Sequence, residues 1–178
     1  MQQYGPQIPM KYGALKIGRD QGELFNYAGA QFNWKVKGEH TGYAFSMYEQ
    51  ILKPGEGVPL HCHACAEVFY VLSGNVDFLR LSDGENHEWL RCSSGETLLV
   101  PINALHAFYN RTHEDARLLS ISTHLHQAFL DAIVESDEIV SFSSLTPSQA
   151  MMRVGEIAQR YDVHFFPFTP PEIEQERT

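Results

Sequence analysis

Between positions 61 and 67, every second residue is a side chain that can hold a metal ion: His61, His63, Cys65 and Glu67. On a β-strand, side chains alternate with period two, so all four would face one way. Two imidazoles two residues apart lie roughly 7 Å apart at Cα, a span that one ion can bridge. His106, closing the run Pro101-Ile102-Asn103-Ala104-Leu105-His106, is the further candidate. Three imidazoles and a carboxylate make a borderline nitrogen–oxygen set for one divalent transition metal per chain: Fe, Mn, Ni, Cu, Co or Zn. Such a site often keeps positions open for water or substrate. The same histidines could instead form a surface cluster, or be hydrogen-bonded groups inside a barrel.

Cys65 shares the ligand face by parity, as a soft extra ligand or, more in keeping with buried cysteine, as a small hydrophobe. Cys62 should face the opposite layer. His124 and His126 form a second His-x-His where a strand gives way to a helix, so periodicity does not fix their faces. They are read as background, and His40, His87, His113 and His164 as surface or capping residues.

These residues need a scaffold of strands. Thr41–Leu52, Glu67–Leu72, Val76–Leu81, His87–Cys92, Glu96–Val100, Leu105–Tyr109 and Arg117–Thr123 are apolar, aromatic or β-branched segments. Gly, Pro, Asp and Asn punctuate them at regular spacing, which predicts an antiparallel sandwich or barrel. The pattern changes after Thr123. Apolar residues at 125, 129, 130, 133 and 134 have helical spacing over Leu125–Glu135. Thr146-Pro147-Ser148-Gln149 is a capping box with proline at N1, opening a helix to about Tyr161 with apolar residues at 150, 151, 154, 157 and 158 as its buried stripe. The chain from Pro167 is Pro-rich and then charged, an extended arm or frayed end. The expected organisation is an N-terminal arm and strands over 1–38, a barrel over 39–124, and C-terminal helices with a Pro-rich tail over 125–178.

The 178 residues carry 13 Lys+Arg against 22 Asp+Glu, a formal net charge of −9, which argues against a phosphate-binding face and so against nucleic acid. Hydrophobic residues make up 43% and charged residues 20%, ordinary for a globular domain with a real core. No apolar run reaches the ~18 residues of a membrane span. Met1–Gly13 lacks the basic and apolar regions of a secretory signal, and three cysteines are too few for a disulfide framework, so a reduced cytoplasmic protein is expected. Leu15–Val36, apolar in patches, is a candidate for edge pairing in a homodimer.

Gly55, His61, His63, Glu67 and Gly74 stand at the spacing of the first conserved motif of the cupin superfamily. Gly95, Pro101, His106 and Asn110 fit the second, with Asn103 where a glycine is usual; asparagine tolerates the left-handed backbone. The runs Pro59-Leu60-His61-x-His63 and Glu67-Val68-Phe69-Tyr70-Val71-Leu72-Ser73-Gly74, with Ile157–Val163 and Pro170-Pro171, resemble the small single-domain cupins described as quercetin 2,3-dioxygenase-like. The resemblance implies a double-stranded β-helix (jelly-roll) barrel, mainly β with a C-terminal helical appendage. It also implies a metal held by His61, His63, Glu67 and His106.

A metal so held could act as a Lewis acid or as a platform for O2 and an enolate. In the oxygenase case Glu67, as ligand or beside the metal, would take a substrate hydroxyl proton, best done with its pKa raised by burial. Cys65, Phe69, Val71 and Phe108, in phase with the ligands, would line the pocket of a small aromatic or enolisable substrate, unless the aromatics simply pack the barrel. A non-redox isomerase or lyase, or a non-catalytic small-molecule- or metal-binding cupin, would use the same residues.

Overall fold

The computed structural model describes residues 13–27, 30–82 and 86–174. Eleven strands among them are β1 (Glu23–Tyr27), β2 (Ala30–Val36), β3 (Ser46–Leu52), β4 (Gly57–His63), β5 (Glu67–Ser73), β6 (Asn75–Ser82), β7 (Asn86–Ser93), β8 (Thr97–Val100), β9 (His106–Tyr109), β10 (Ala116–Ser122) and β11 (Val163–Phe165). Two helices, α1 (His124–Ile139) and α2 (Pro147–Gln159), lie between β10 and β11. The strands form two antiparallel sheets, ordered β1-β2-β3-β10-β5-β8 and β11-β4-β9-β6-β7. They face each other as a jelly roll with the helices appended, as expected.

Alternation decides what enters the barrel. On β3 the buried positions are Ser46, Tyr48, Gln50 and Leu52; on β10 they are Ala116, Leu118, Ser120 and Ser122. Registers align these rows, with Ser122 opposite both Ser46 and Glu67, and Ala116 opposite Leu52. The inner face of the larger sheet is therefore polar at one end and apolar at the other. At the apolar end Leu52, Phe69, Val71, Phe78, Phe108 and Leu118 pack together. Beyond the polar end a second cluster joins Phe32, Trp34 and Tyr48 to Phe129, Ile133 and Val154, so the N-terminal hairpin and both helices close that mouth.

The C-terminal chain lies on the outer face of the smaller sheet. The Phe166 amide donates to Leu60 O at 2.9 Å, Phe168 stacks on Tyr109, and Arg91 pairs with Glu174 at 2.7 Å. No helix among the described residues is long and apolar enough to cross a membrane.

Several local features depart from the sequence reading. The strand expected from Thr41 begins at Ser46, because Gly42 and Tyr43 both take positive φ, near 64°, and break the extended chain. Helix α1 runs further than expected, to Ile139. The capping box on α2 forms as read, with Gln149 N donating to Thr146 Oγ1. Its buried stripe is narrower: Val154, Ile157 and Ala158 are buried, while Met151 is half exposed. Within the segment proposed for edge pairing, β2 pairs with β3 and β1 with β2, which leaves β1 as an edge strand of the larger sheet.

Two backbone positions hold the loops at the site. Asn103 takes φ +62°, the left-handed conformation anticipated for it, and its amide donates to His63 O at 2.9 Å. Gly57 lets β4 lie against β9, since a Cβ there would sit 2.1 Å from Phe108 O. Gly57→Ala is accordingly expected to lower the urea midpoint by the equivalent of about 1–3 kcal/mol, read by circular dichroism.

Candidate metal centre

The chain positions its histidines through neighbouring strands of the smaller sheet. His61 on β4 is the register partner of His106 on β9, and their rings lie 4.1 Å apart between centroids. His63, two residues along β4, brings its ring to 5.6 Å from His61 and 5.0 Å from His106. All three are buried.

Each imidazole is oriented from behind. His61 Nδ1 faces Pro59 O at 2.9 Å, His63 Nδ1 faces Cys65 O at 2.8 Å, and His106 Nδ1 faces Ala104 O at 3.0 Å. A carbonyl only accepts, so each Nδ1 carries a proton and donates it, leaving Nε2 as the inward atom. The ligand atoms of His61, His63 and His106 lie within 4.8 Å of one another.

Glu67 arrives differently from the sequence expectation. The strand of His61 and His63 ends at His63, the chain bends through Ala64 and Cys65, and Glu67 starts β5 in the opposite sheet. Glu67 therefore reaches the cluster from across the barrel, not along one strand face. Its carboxylate accepts from Tyr48 Oη at 3.2 Å and from Ser120 Oγ, and it meets His63 Nε2 at 3.3 Å. His126, near the start of α1, places Nδ1 3.5 Å from Glu67 Oε1 without a hydrogen bond. His63, Glu67 and His126 form a second group within 4.8 Å, sharing His63 with the first.

His126 is the site residue that sequence reasoning set aside. The signal existed in the His-x-His at 124–126, but the change from strand to helix hid its direction. The structure separates the pair: His126 is buried against the cluster, while His124 packs edge-on to Tyr43. His40, His87, His113 and His164 are exposed.

Electrostatics follow from burial and neighbours. Burial and the other two imidazoles hold His61 well below its ordinary value, and burial brings His106 down to about 4, so both are neutral. Burial also opposes charge on His63, but its hydrogen bonds to Cys65 and Glu67 prevail and push it up to about 10. Burial alone would raise Glu67, the direction expected from sequence. The charges of His126 and His63 and the hydrogen bonds from His63 and Ser120 overcome it and hold the carboxyl well below the usual range. Burial and the Glu67 charge keep Tyr48 protonated, as a donor must be.

The remaining expected pocket residues divide. Cys65 is buried with Sγ 3.4 Å from His63 Nδ1 and 3.5 Å from Ser122 Oγ, and lines a cavity of about 250 Å³ with His63, His126, Leu125, Arg160 and Tyr161. Phe69, Val71 and Phe108 lie in the apolar barrel cluster, with the Phe69 ring 5.0 Å from Phe108 and 5.2 Å from Phe78.

The donor set suits a divalent transition ion. The Nε2 atom of His106 is buried with no hydrogen-bond partner among the described residues, as a ligand atom would be, and the cluster could hold a metal.

Comparison with known proteins agrees with this architecture. Residues 48–122 match the family model described as Cupin domain, and the two sheets form a cupin jelly roll. Auxin-binding protein 1 of Arabidopsis thaliana is 33% identical over 76 residues, which cover 40% of this chain and 38% of that protein. The chain thus matches well under half the length of that curated relative. The polyketide cyclase RemF of Streptomyces resistomycificus superposes with a TM-score of 0.55 at 16% identity, covering 63% of this chain and 80% of that one, a likeness of fold. Oxalate decarboxylase of Bacillus subtilis, a protein with Mn(II) centres, gives a TM-score of 0.49 at 19% identity over 56% of this chain and 27% of that one.

The supports behind the ligands generate a prediction. Ser120→Ala removes a donor to Glu67 from within the barrel, and outer partners of this kind are worth roughly 10–100-fold in metal affinity. Competition with a chelator should show a loss of about tenfold, with the far-ultraviolet circular dichroism unchanged.

Proposed function

We propose that the chain binds one divalent transition metal ion through His61, His63, His106 and Glu67. We propose further that it acts as a dioxygenase-like enzyme of the quercetin 2,3-dioxygenase-like kind on a small aromatic or enolisable substrate. The observation that carries this reading is the set of three buried imidazoles, each with Nδ1 held by a backbone carbonyl and Nε2 turned to a common point. The ion, when bound, supplies Lewis acidity and a meeting place for O2 and substrate.

The chain's own residues set the conditions. Two apolar clusters flank the polar centre and exclude bulk water from it. Tyr48 and Ser120 fix the Glu67 carboxylate from two strands. A carboxyl held so low is a weak base at neutral pH, which favours a ligand role for Glu67 over removal of a substrate proton. The same point weighs against an isomerase or lyase that uses Glu67 to take a C–H proton. The cavity beside His63 and His126 offers a small molecule a route to the cluster.

Elemental analysis of protein purified without added metal should find close to one ion per chain. His61→Ala and His106→Ala should each weaken binding by about tenfold or more. Oxygen uptake by metal-loaded protein with a panel of flavonols and diketones should exceed that of chelated protein. Uptake equal to the chelated control across the panel would remove the dioxygenase reading, and full metal retention in both variants would remove the site.

A further inference from the structure

His126 is 7% exposed, and its Nδ1 is buried with no hydrogen-bond partner among the described residues. Burying a ring nitrogen unpaired is costly, and native proteins rarely do so without a use for the atom. A leucine or phenylalanine would meet Phe129 and Tyr48, the aromatic neighbours of this ring, without that cost. Packing therefore does not explain the imidazole.

Its nitrogen is aimed at the Glu67 carboxylate but does not bond to it. Nδ1 stands 3.5 Å from Glu67 Oε1 without a hydrogen bond, and that oxygen already accepts from Tyr48 and Ser120. The other oxygen, Oε2, lies 3.3 Å from His63 Nε2. Ligand atoms of His63, Glu67 and His126 all fall within 4.8 Å of one another. With bonds of roughly 2.0–2.2 Å, two ligand atoms on one ion stand roughly 3 Å apart when adjacent and roughly 4 Å apart when opposite. The three groups are thus spaced as donors around an ion and too far apart to satisfy one another directly.

The first turn of α1 fixes this placement. The His126 amide donates to Thr123 O at 3.2 Å, and the ring stacks on Phe129 at an interplanar angle of 7°. The His63 ring lies 5.0 Å away between centroids.

We infer that His126 is a further ligand of the metal ion through Nδ1, so that His61, His63, His106, His126 and Glu67 surround it together. The inference rests on the metal site proposed above. His126 lies beyond residues 48–122, which match the family model, and beyond both sequence motifs, so this ligand belongs to the helical appendage of this chain. An ion with five protein donors has room for fewer outside atoms than one with four. His126 also lines the cavity that reaches the cluster, so the helical layer limits what a small molecule arriving there can bind.

Protein with isotopically labelled histidine rings, loaded with a spin-active cadmium isotope as the probe ion, tests the ligand set directly. Each ring nitrogen bonded to the ion is split by coupling to it. The nitrogen spectrum of the wild type should show coupling at Nε2 of His61, His63 and His106 and at Nδ1 of His126. His126→Leu should lose the Nδ1 coupling alone. In competition with a chelator that variant should hold the ion at least about tenfold more weakly, with the far-ultraviolet circular dichroism unchanged. Coupling at the other three histidines without His126 overturns the inference and leaves the metal site standing, whatever the affinity of the variant. Undiminished affinity in a folded His126→Leu overturns it as well. Coupling at no imidazole overturns the metal site and this inference with it. The wild-type spectrum decides the matter even where the variant does not fold.

Discussion

A carboxylate at 1% exposure is tolerable inside a barrel only when donors and positive charge surround it, and the structure around Glu67 meets that demand from four sides. Tyr48 comes from β3, Ser120 from β10, His63 from β4 and His126 from α1. Those four elements belong to both sheets and to the helical layer. The same contacts that offset the burial of one charge thus hold the halves of the barrel in register around it. A hydrophobic substitute at position 67 would remove the burial cost of the carboxylate and leave His63 without its countercharge, beside a His126 that burial holds below its ordinary pKa.

The polar centre also explains why the inside of the barrel is flanked by two apolar clusters where a small barrel could have one. Phe69, Phe78, Phe108 and Leu118 fill the far end of the barrel, and Trp34, Phe129 and Ile133 cover the near end. Between them lie the histidines, the serines of β10 and Glu67, a band too polar to pack as core and too enclosed to be solvated. Such a band is stable when its groups satisfy one another. The three carbonyls behind His61, His63 and His106 do so on the outer side of each ring; on the inner side His63 meets Glu67, while the Nε2 of His106 has no partner among the described residues.

Most of the scaffold was legible because period two and turn chemistry are local. The inward rows of β3 and β10, the capping box of α2 and the left-handed Asn103 follow from short runs of sequence. The histidines of β4 were legible for the same reason, by strand parity, whereas His106 on β9 stood out through the spacing of the second motif. Where the chain leaves a regular element, that logic fails. The bend at Ala64 and Cys65 moved Glu67 to the other sheet, and parity still predicted its proximity while misreading its route. His126 was hidden by the passage from a two-residue to a 3.6-residue period. The pKa of Glu67 was misjudged because its neighbours come from sequence positions 48, 120 and 126, none of which a local pattern connects to position 67.

Gln50 shows the same limit from the other side. In sequence it is one polar residue among the strand residues of β3, on the same parity as Tyr48 and Leu52, and parity alone could assign it to the core. Only packing reveals that both ends of its amide lack partners. Metal ligands on strands announce themselves through a few residue types at fixed spacing, because coordination tolerates few substitutes. His126 is of the right type, yet no spacing from β4 or β9 reaches it, because α1 brings it to the cluster from outside both sheets. The spacing rules that reveal the strand ligands therefore carry no information about a donor from the helical layer, which becomes visible only when distant elements are placed side by side.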